Sequence, residues 1–154
     1  MNSKIHAEQL TPLIQTHAAG LDIVVPFTTR HLTRAALAAA GRLSSGLQPM
    51  IRMVRILVVP YPLQLEASPI SPAVLRQQLA PLAAEYKAHV QICCARDSRD
   101  GLLYSVSKDS VILIAVRRSD SWTRWWPTRE ERLVSWLRRH GYFVMLEFVE
   151  KNDA

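Results

Sequence analysis

The chain has 154 residues, of which 49% are hydrophobic and 21% charged, so one globular domain is expected and an intrinsically disordered protein is excluded. Its formal net charge of +6 favours acidic partners such as nucleic acid, phosphorylated small molecules or an anionic membrane surface. No apolar run reaches the roughly 20 residues that span a bilayer, and residues 1–20 contain no apolar signal-peptide core. We therefore expect a cytoplasmic protein that does not enter a membrane, with Cys93 and Cys94 as free thiols.

Strand and helix patterns alternate in the first half of the chain. The apolar run 21–26 predicts a first strand, and apolar residues at helical spacing predict a helix over 29–45. A second strand is predicted over 51–59. The stretch 60–69 contains three prolines, which exclude regular structure there.

The alternation continues in the second half. Pro72 follows a capping serine and predicts a helix that runs to about residue 87, which Pro81 should kink or divide. The remaining predicted elements are a strand over 89–95, a short helix over 97–107, a strand over 111–116, a helix that begins with a capping box at Thr128 and ends at Gly141, and a strand over 142–150.

The resulting order, βαβαβαβαβ, predicts an α/β fold with a five-stranded parallel sheet and helices on both of its faces. We assign residues 1–20 to an N-terminal appendage, 21–150 to the α/β domain and 151–154 to a C-terminal tail. Ligands of such sheets bind beyond the carboxyl ends of the strands, where the strand order reverses. Those ends fall at 25–29, 59–61, 95–97 and 116–119.

Two local features accompany this order of elements. The first strand ends in Val25-Pro26-Phe27, and a long proline-rich stretch follows the second strand. Together they resemble the universal stress protein family, whose first strand usually ends in a Val-Pro-Val-Asp type of segment. The resemblance covers about residues 21–150 and implies a Rossmann-like sheet with strand order 3-2-1-4-5. A plain flavodoxin-like or Rossmann-like domain has the same alternation and is the competing fold.

The sequence departs from the ATP-binding members of that family. Those members carry Gly-x-x-Gly, nine more residues and then Gly-Ser or Gly-Thr after the fourth strand, because only glycine lets the backbone approach phosphates so closely. This chain has no glycine between Gly101 and Gly141, and Thr28 takes the place of the aspartate near the adenine. The comparison implies a divergent member without glycine-dependent ATP binding, and we expect no cofactor.

The segment 117–129 is rich in arginine and tryptophan. Arg117, Arg118 and Arg124 could clamp a phosphate, and Thr128 opens a helix whose amides favour an anion. In the alternative interpretation, the tryptophans pack against the sheet and the arginines are solvated. The candidate ligand-binding residues are Pro26, Phe27, Thr28, Val59, Arg117, Arg118, Arg124 and Thr128.

No pattern indicates catalysis or a metal site, because the histidines lack ligand spacing and no nucleophile has a supporting base. The leading hypothesis is a non-enzymatic stress-response or regulatory binding domain. The alternatives are a binder of nucleotides or other phosphoanions, and a nucleic-acid-associated basic protein. The resemblance also implies a homodimer formed through the last strand, with Tyr142, Val144, Leu146 and Phe148 at its interface.

Overall fold

A computed structural model describes residues 20–46, 48–118 and 126–150 of the chain. Within them, strands and α-helices alternate, and each lies where the sequence predicts it to within a few residues. The elements are β1 (Asp22–Pro26), α1 (Arg30–Leu43), β2 (Met50–Val58), a 3-10 turn (Leu65–Ala67), α2 (Pro72–Glu85), β3 (His89–Ala95), α3 (Ser98–Ser105), β4 (Val111–Arg117), α4 (Arg129–Arg139) and β5 (Phe143–Val149).

All five strands form one parallel sheet in the order β3-β2-β1-β4-β5, which confirms the predicted fold class and strand order. The chain runs from the centre to one edge through β1, β2 and β3, and then crosses back to β4 and β5. Because the crossovers of parallel strands are right-handed, this reversal places α1 and α2 on one face and α3 and α4 on the other.

Each face of the sheet has its own apolar core. Leu37 of α1 and Leu82 of α2 pack on the first face with Ile23 of β1. Leu102 of α3 and Leu137 of α4 pack on the second face. Residues Ile112 to Val116 of β4 are at most 2% exposed, so the continuous apolar run of this strand is buried on both faces, as predicted.

The helix ends follow the sequence signals except at Ser71, which precedes α2 with extended backbone but makes no side-chain capping hydrogen bond. Thr29 caps α1, and Thr128 forms the predicted capping box with Glu131 at the start of α4. Gly141 ends α4 with a φ of +83°, which glycine adopts without strain. Pro81 does not divide α2, which continues to Glu85. Pro81 lies on the exposed side of the helix. Water can therefore donate a hydrogen bond to the backbone carbonyl group that the proline, which has no N–H, leaves unpaired.

The strand order reverses between β1 and β4, and the two strands pair only at their beginnings. Ile23 pairs with Val111 and Val24 with Ile112, whereas β1 remains paired with β2 as far as Pro26. The amide of Phe27 donates to β2. Since successive amides of a strand point to opposite sides, the nitrogen of Pro26 faces β4, where it has no hydrogen to donate. Pro26 therefore favours a separation of β1 from β4 at this point.

Some predictions fall on residues outside the described ranges, namely most of the appendage, the tail, Arg124 and two tryptophans of the 117–129 segment. Within the described ranges, every helix is too short or too polar to cross a bilayer. In the same part of the chain, no cluster of His, Cys, Asp and Glu side chains could hold a metal ion.

Candidate functional site

A cavity of about 540 Å³ opens at the carboxyl ends of β1 and β2. On this face, α3 packs on β2 and β3, while α4 packs on β4 and β5, so a gap lies between the two helices above the central strand. The cavity occupies that gap, which is where parallel α/β sheets bind their ligands. It is lined by Pro26, Phe27, Thr28, Thr29, Val54, Arg55, Ile56, Leu57, Val58, Ile70, Ser98, Arg99, Leu102, Arg129, Glu130 and Leu133.

Three arginines in this lining come from three different elements: Arg55 from β2, Arg99 from α3 and Arg129 from α4. Glu130 is the one acidic residue among the described lining residues, which leaves a formal excess of two positive charges around the cavity. The electrostatic character of the site therefore favours an anionic ligand.

None of these three guanidinium groups forms an ion pair with a carboxylate in the part of the chain that the structure describes. Two of them lie on aromatic rings instead. The Arg55 guanidinium carbon is 4.7 Å from the ring centre of Phe27, and that of Arg99 is 5.2 Å from the ring centre of Trp136. A guanidinium on a ring keeps its in-plane N–H donors available, so both groups are placed to bind an acceptor.

Some of the free amides at the two helix starts beside the cavity already have a side-chain partner. The Asp97 carboxylate accepts hydrogen bonds from the amides of Arg99 and Asp100 at 2.8 and 3.3 Å. The Thr128 hydroxyl accepts from the amide of Glu131 at 3.2 Å. An anion in the cavity would therefore bind the guanidinium groups, with the helix dipoles adding a smaller attraction.

Arg96, at the end of β3, holds the loop that follows β2. Its Nη1 atom donates to the carbonyl oxygens of Val59 at 3.0 Å, Pro60 at 3.4 Å and Leu63 at 2.6 Å. Its guanidinium carbon also lies 4.2 Å from the ring centre of Tyr61. These contacts fix the proline-rich loop beside the cavity wall.

Five of the eight predicted ligand-binding residues form two groups at or beside the cavity. Pro26, Phe27 and Thr28 line the cavity, as the strand-end argument expects. Val59 is fully buried and Thr128 uses its hydroxyl as the cap of α4, so these two support the site without lining it.

The predicted arginines of the 117–129 segment are placed differently. Arg117 and Arg118 are exposed at the end of β4 and do not line the cavity. Arg118 pairs with Glu150 at 3.5 Å and lies 5.1 Å from the ring centre of Phe148. Arg124 lies outside the described residues.

Sequence reasoning missed Arg55, Arg99 and Arg129. Arg55 and Arg129 gave a partial signal, because Arg55 is one of two charged residues in the strand β2 and Arg129 ends the arginine-rich segment 117–129. Arg99 follows a helix cap, where it resembles an ordinary solvated residue. The convergence of the three arginines depends on the gap between α3 and α4.

The strand β5 forms one edge of the sheet and pairs with β4. Of the predicted interface residues, Val144 is 5% exposed and belongs to the core, and Phe148 is 52% exposed. Tyr142 and Leu146 are half-buried against the same core.

The sequence matches no protein-family model and no curated protein. Solved structures resemble the fold. A universal stress protein in complex with cAMP is 12% identical, with a TM-score of 0.53 over 85% of this chain and 98% of that one. A universal stress family protein from Burkholderia pseudomallei is 14% identical, with a TM-score of 0.51 over 82% and 94% of the two chains. One from Archaeoglobus fulgidus is 12% identical, with a TM-score of 0.56 over 82% and 92%.

The chain therefore belongs to the α/β class of doubly wound parallel sheets. Within that class, its fold is that of the universal stress proteins, which confirms the predicted resemblance at the level of the fold.

Proposed function

We propose that this protein is a non-enzymatic regulatory binding domain of the stress-protein type, and that it binds a phosphorylated small molecule in the cavity between α3 and α4. The observation that carries the proposal is the convergence on one cavity of three guanidinium groups that have no carboxylate partner within the described chain. Like charges that converge in this way repel one another, and a bound anion would offset that repulsion.

The fold comparison adds independent support. One solved protein of this fold is a universal stress protein in complex with cAMP, a phosphorylated small molecule. This chain lacks glycines after β4 until Gly141, so binding here would depend on arginine side chains instead of a close backbone approach. We accordingly propose that the protein does not bind ATP through a glycine-rich loop and does not catalyse a reaction.

We expect calorimetry to detect binding of at least one compound from a panel of cAMP, MgATP and inorganic pyrophosphate. Replacing Arg55, Arg99 and Arg129 together with glutamine should weaken that binding by about 100-fold or more, because each lost charge-assisted contact contributes about 1.5–3 kcal/mol.

The matched control replaces Arg34, Arg76 and Arg132 with glutamine. These residues do not line the cavity, and their replacement removes the same number of positive charges. The affinity of this control variant for the same compound should stay within about threefold of that of the unmodified protein, because salt screens charges that lie away from the cavity. Equal losses in the two triple variants would contradict a localised site, and no binding of any panel compound would contradict the proposal itself.

We also propose that the protein is a homodimer that pairs through β5. This strand is a sheet edge whose outward N–H and C=O groups have no strand beside them in the described chain. Phe143 and Phe148 are 61% and 52% exposed on it. Exposed apolar side chains on an edge strand favour pairing with another chain, and the charges near this edge already have partners, Glu147 with Arg42 and Arg118 with Glu150.

Replacing Phe143 and Phe148 with lysine should shift the protein from dimer to monomer, because two added charges on each edge would repel across the interface. Sedimentation equilibrium should show a dissociation constant raised by about tenfold or more. Tyr104→Lys changes a 90% exposed aromatic residue on α3 and should leave the dimer intact. A strictly monomeric unmodified protein at its highest soluble concentration would refute the dimer.

A further inference from the structure

The cavity has an ordered layout of charge and apolar surface. On α3, Arg99 precedes Leu102 by three residues, and on α4, Arg129 precedes Leu133 by four. Residues at these spacings lie on the same face of a helix. Each helix therefore presents a guanidinium group in its first turn and a leucine one turn further along.

The exposure of these side chains decreases from the arginines at the helix starts to the leucines one turn further along. Arg99 and Arg129 are exposed at the helix starts, whereas Leu102 is 3% exposed and Leu133 is half-buried. Ile56 of β2 is also half-buried and packs against the apolar cluster that contains Leu102. Arg99 and Arg129 thus lie at the outer part of the cavity, which the exposed side chains of Val58 and Ile70 also line, and Ile56, Leu102 and Leu133 form its apolar floor.

We infer that the ligand is an amphipathic phosphate monoester, with its phosphate held between Arg99 and Arg129 and its apolar body on Ile56, Leu102 and Leu133. This inference rests on the proposed function and specifies its ligand. A phosphate monoester carries about −1.5 to −2 charges at pH 7, which matches the excess of two positive charges around the cavity. Two arginine forks from two helices can each bind it in bidentate geometry.

The floor also excludes a heavily hydroxylated body at that position. The lining hydroxyl groups belong to Thr28, Thr29 and Ser98, which follow the end of β1 or begin α3 and so lie on the mouth side of the cavity. The Thr29 hydroxyl already accepts the capping hydrogen bond from the amide of Leu32. A sugar placed on the three apolar residues of the floor would lose its hydrogen bonds to water without replacement.

The test compares three probes that separate the two parts of such a ligand: 2-naphthyl phosphate, inorganic phosphate and 2-naphthol. Binding to the full chain is measured by chemical-shift titration at constant ionic strength. We expect 2-naphthyl phosphate to bind about tenfold tighter or more than either of the other two, because only it uses both parts of the cavity. Equal affinity for 2-naphthyl phosphate and inorganic phosphate, or for 2-naphthyl phosphate and 2-naphthol, would overturn the inference.

Single variants locate the phosphate. Arg99→Gln and Arg129→Gln should each weaken 2-naphthyl phosphate about tenfold, while the affinity for 2-naphthol stays unchanged. Arg132→Gln removes the same charge from α4 at an exposed position outside the cavity and should have less than a threefold effect. An equal loss in Arg132→Gln would overturn the assignment of the phosphate to this pair.

The two proposals can fail separately. If a compound of the cAMP, MgATP and pyrophosphate panel binds and depends on the three arginines, but 2-naphthyl phosphate does not bind, the amphipathic ligand is wrong and the anion-binding function stands. If no probe in either set binds, both are wrong.

Discussion

Replacing Arg52 with methionine should lower the free energy of unfolding by about 2–4 kcal/mol. Arg52 lies in β2 near the amino end of the sheet, opposite the cavity. Its Nε and Nη2 atoms donate to the two carboxylate oxygens of Asp22 at 2.9 and 2.7 Å. Its Nη1 atom donates to Gln91 at 2.7 Å and to the carbonyl oxygen of Ser105 at 3.0 Å. One side chain thus joins β1, β2, β3 and the end of α3.

The expected loss is large because the network is mostly buried. The side chains of Arg52 and Asp22 are 21% and 22% exposed, so removal of the guanidinium leaves a carboxylate with little access to water. Ser110 still donates to this carboxylate at 2.5 Å, which places the expected value below that of a fully isolated buried charge. Urea denaturation of the two proteins measures the difference.

Arg42→Met is the matched control. The Arg42–Glu147 pair has an even shorter N–O distance, 2.6 Å, but its side chains are 63% and 34% exposed. Exposed ion pairs contribute about 0.2–1 kcal/mol, so this variant should lose less than about 1 kcal/mol. If both variants lost the same free energy, burial would not be what gives the Arg52 network its strength.

The fold could be predicted because its signals are local. Each element is marked by a few neighbouring residues, such as the capping box at Thr128, the glycine at 141 and the apolar run of β4. Because strands and helices alternate along the chain, the sheet must then be parallel. Pro26 is also a local feature, at the end of β1, where this strand has separated from β4. The strand order itself came from the family resemblance.

The candidate site could be predicted only in part, because it depends on residues that are distant in the chain. The high density of arginines in the segment 117–129 favoured Arg117 and Arg118, which lie at the end of β4 outside the cavity. The cavity's arginines, at 55, 99 and 129, are far apart in the chain and come together only because α3 and α4 pack on different strand pairs. A single sequence contains no local pattern for that convergence, whereas the strand ends that form the other wall, such as Phe27, could be predicted from position alone.

Gly101→Ala should destabilise the protein by about 1–3 kcal/mol, although alanine is the better helix former. A Cβ atom at this position would lie 2.7 Å from Cγ2 of Ile56 and 2.8 Å from Cβ of Ala95. The backbone fixes Cβ of Ala95, and the β-branched side chain of Ile56 has few alternative χ1 rotamers, so we expect α3 to move outward. Gly41 is a helical glycine of α1 where an added Cβ atom would meet nothing within 4 Å apart from its chain neighbours and its own helix backbone, and Gly41→Ala should instead stabilise by about 0.5–1 kcal/mol.

The two substitutions should change the free energy of unfolding in opposite directions. Urea denaturation of both variants therefore distinguishes the effect of close packing from that of helix propensity. A stabilising Gly101→Ala would show that α3 can shift at no cost. The close approach also connects stability to the site, because Ile56 lines the cavity and α3 positions Arg99. An outward shift of α3 should move that guanidinium away from Arg129, so Gly101→Ala should weaken anion binding as well, while Gly41→Ala, on the other face of the sheet, should leave it unchanged.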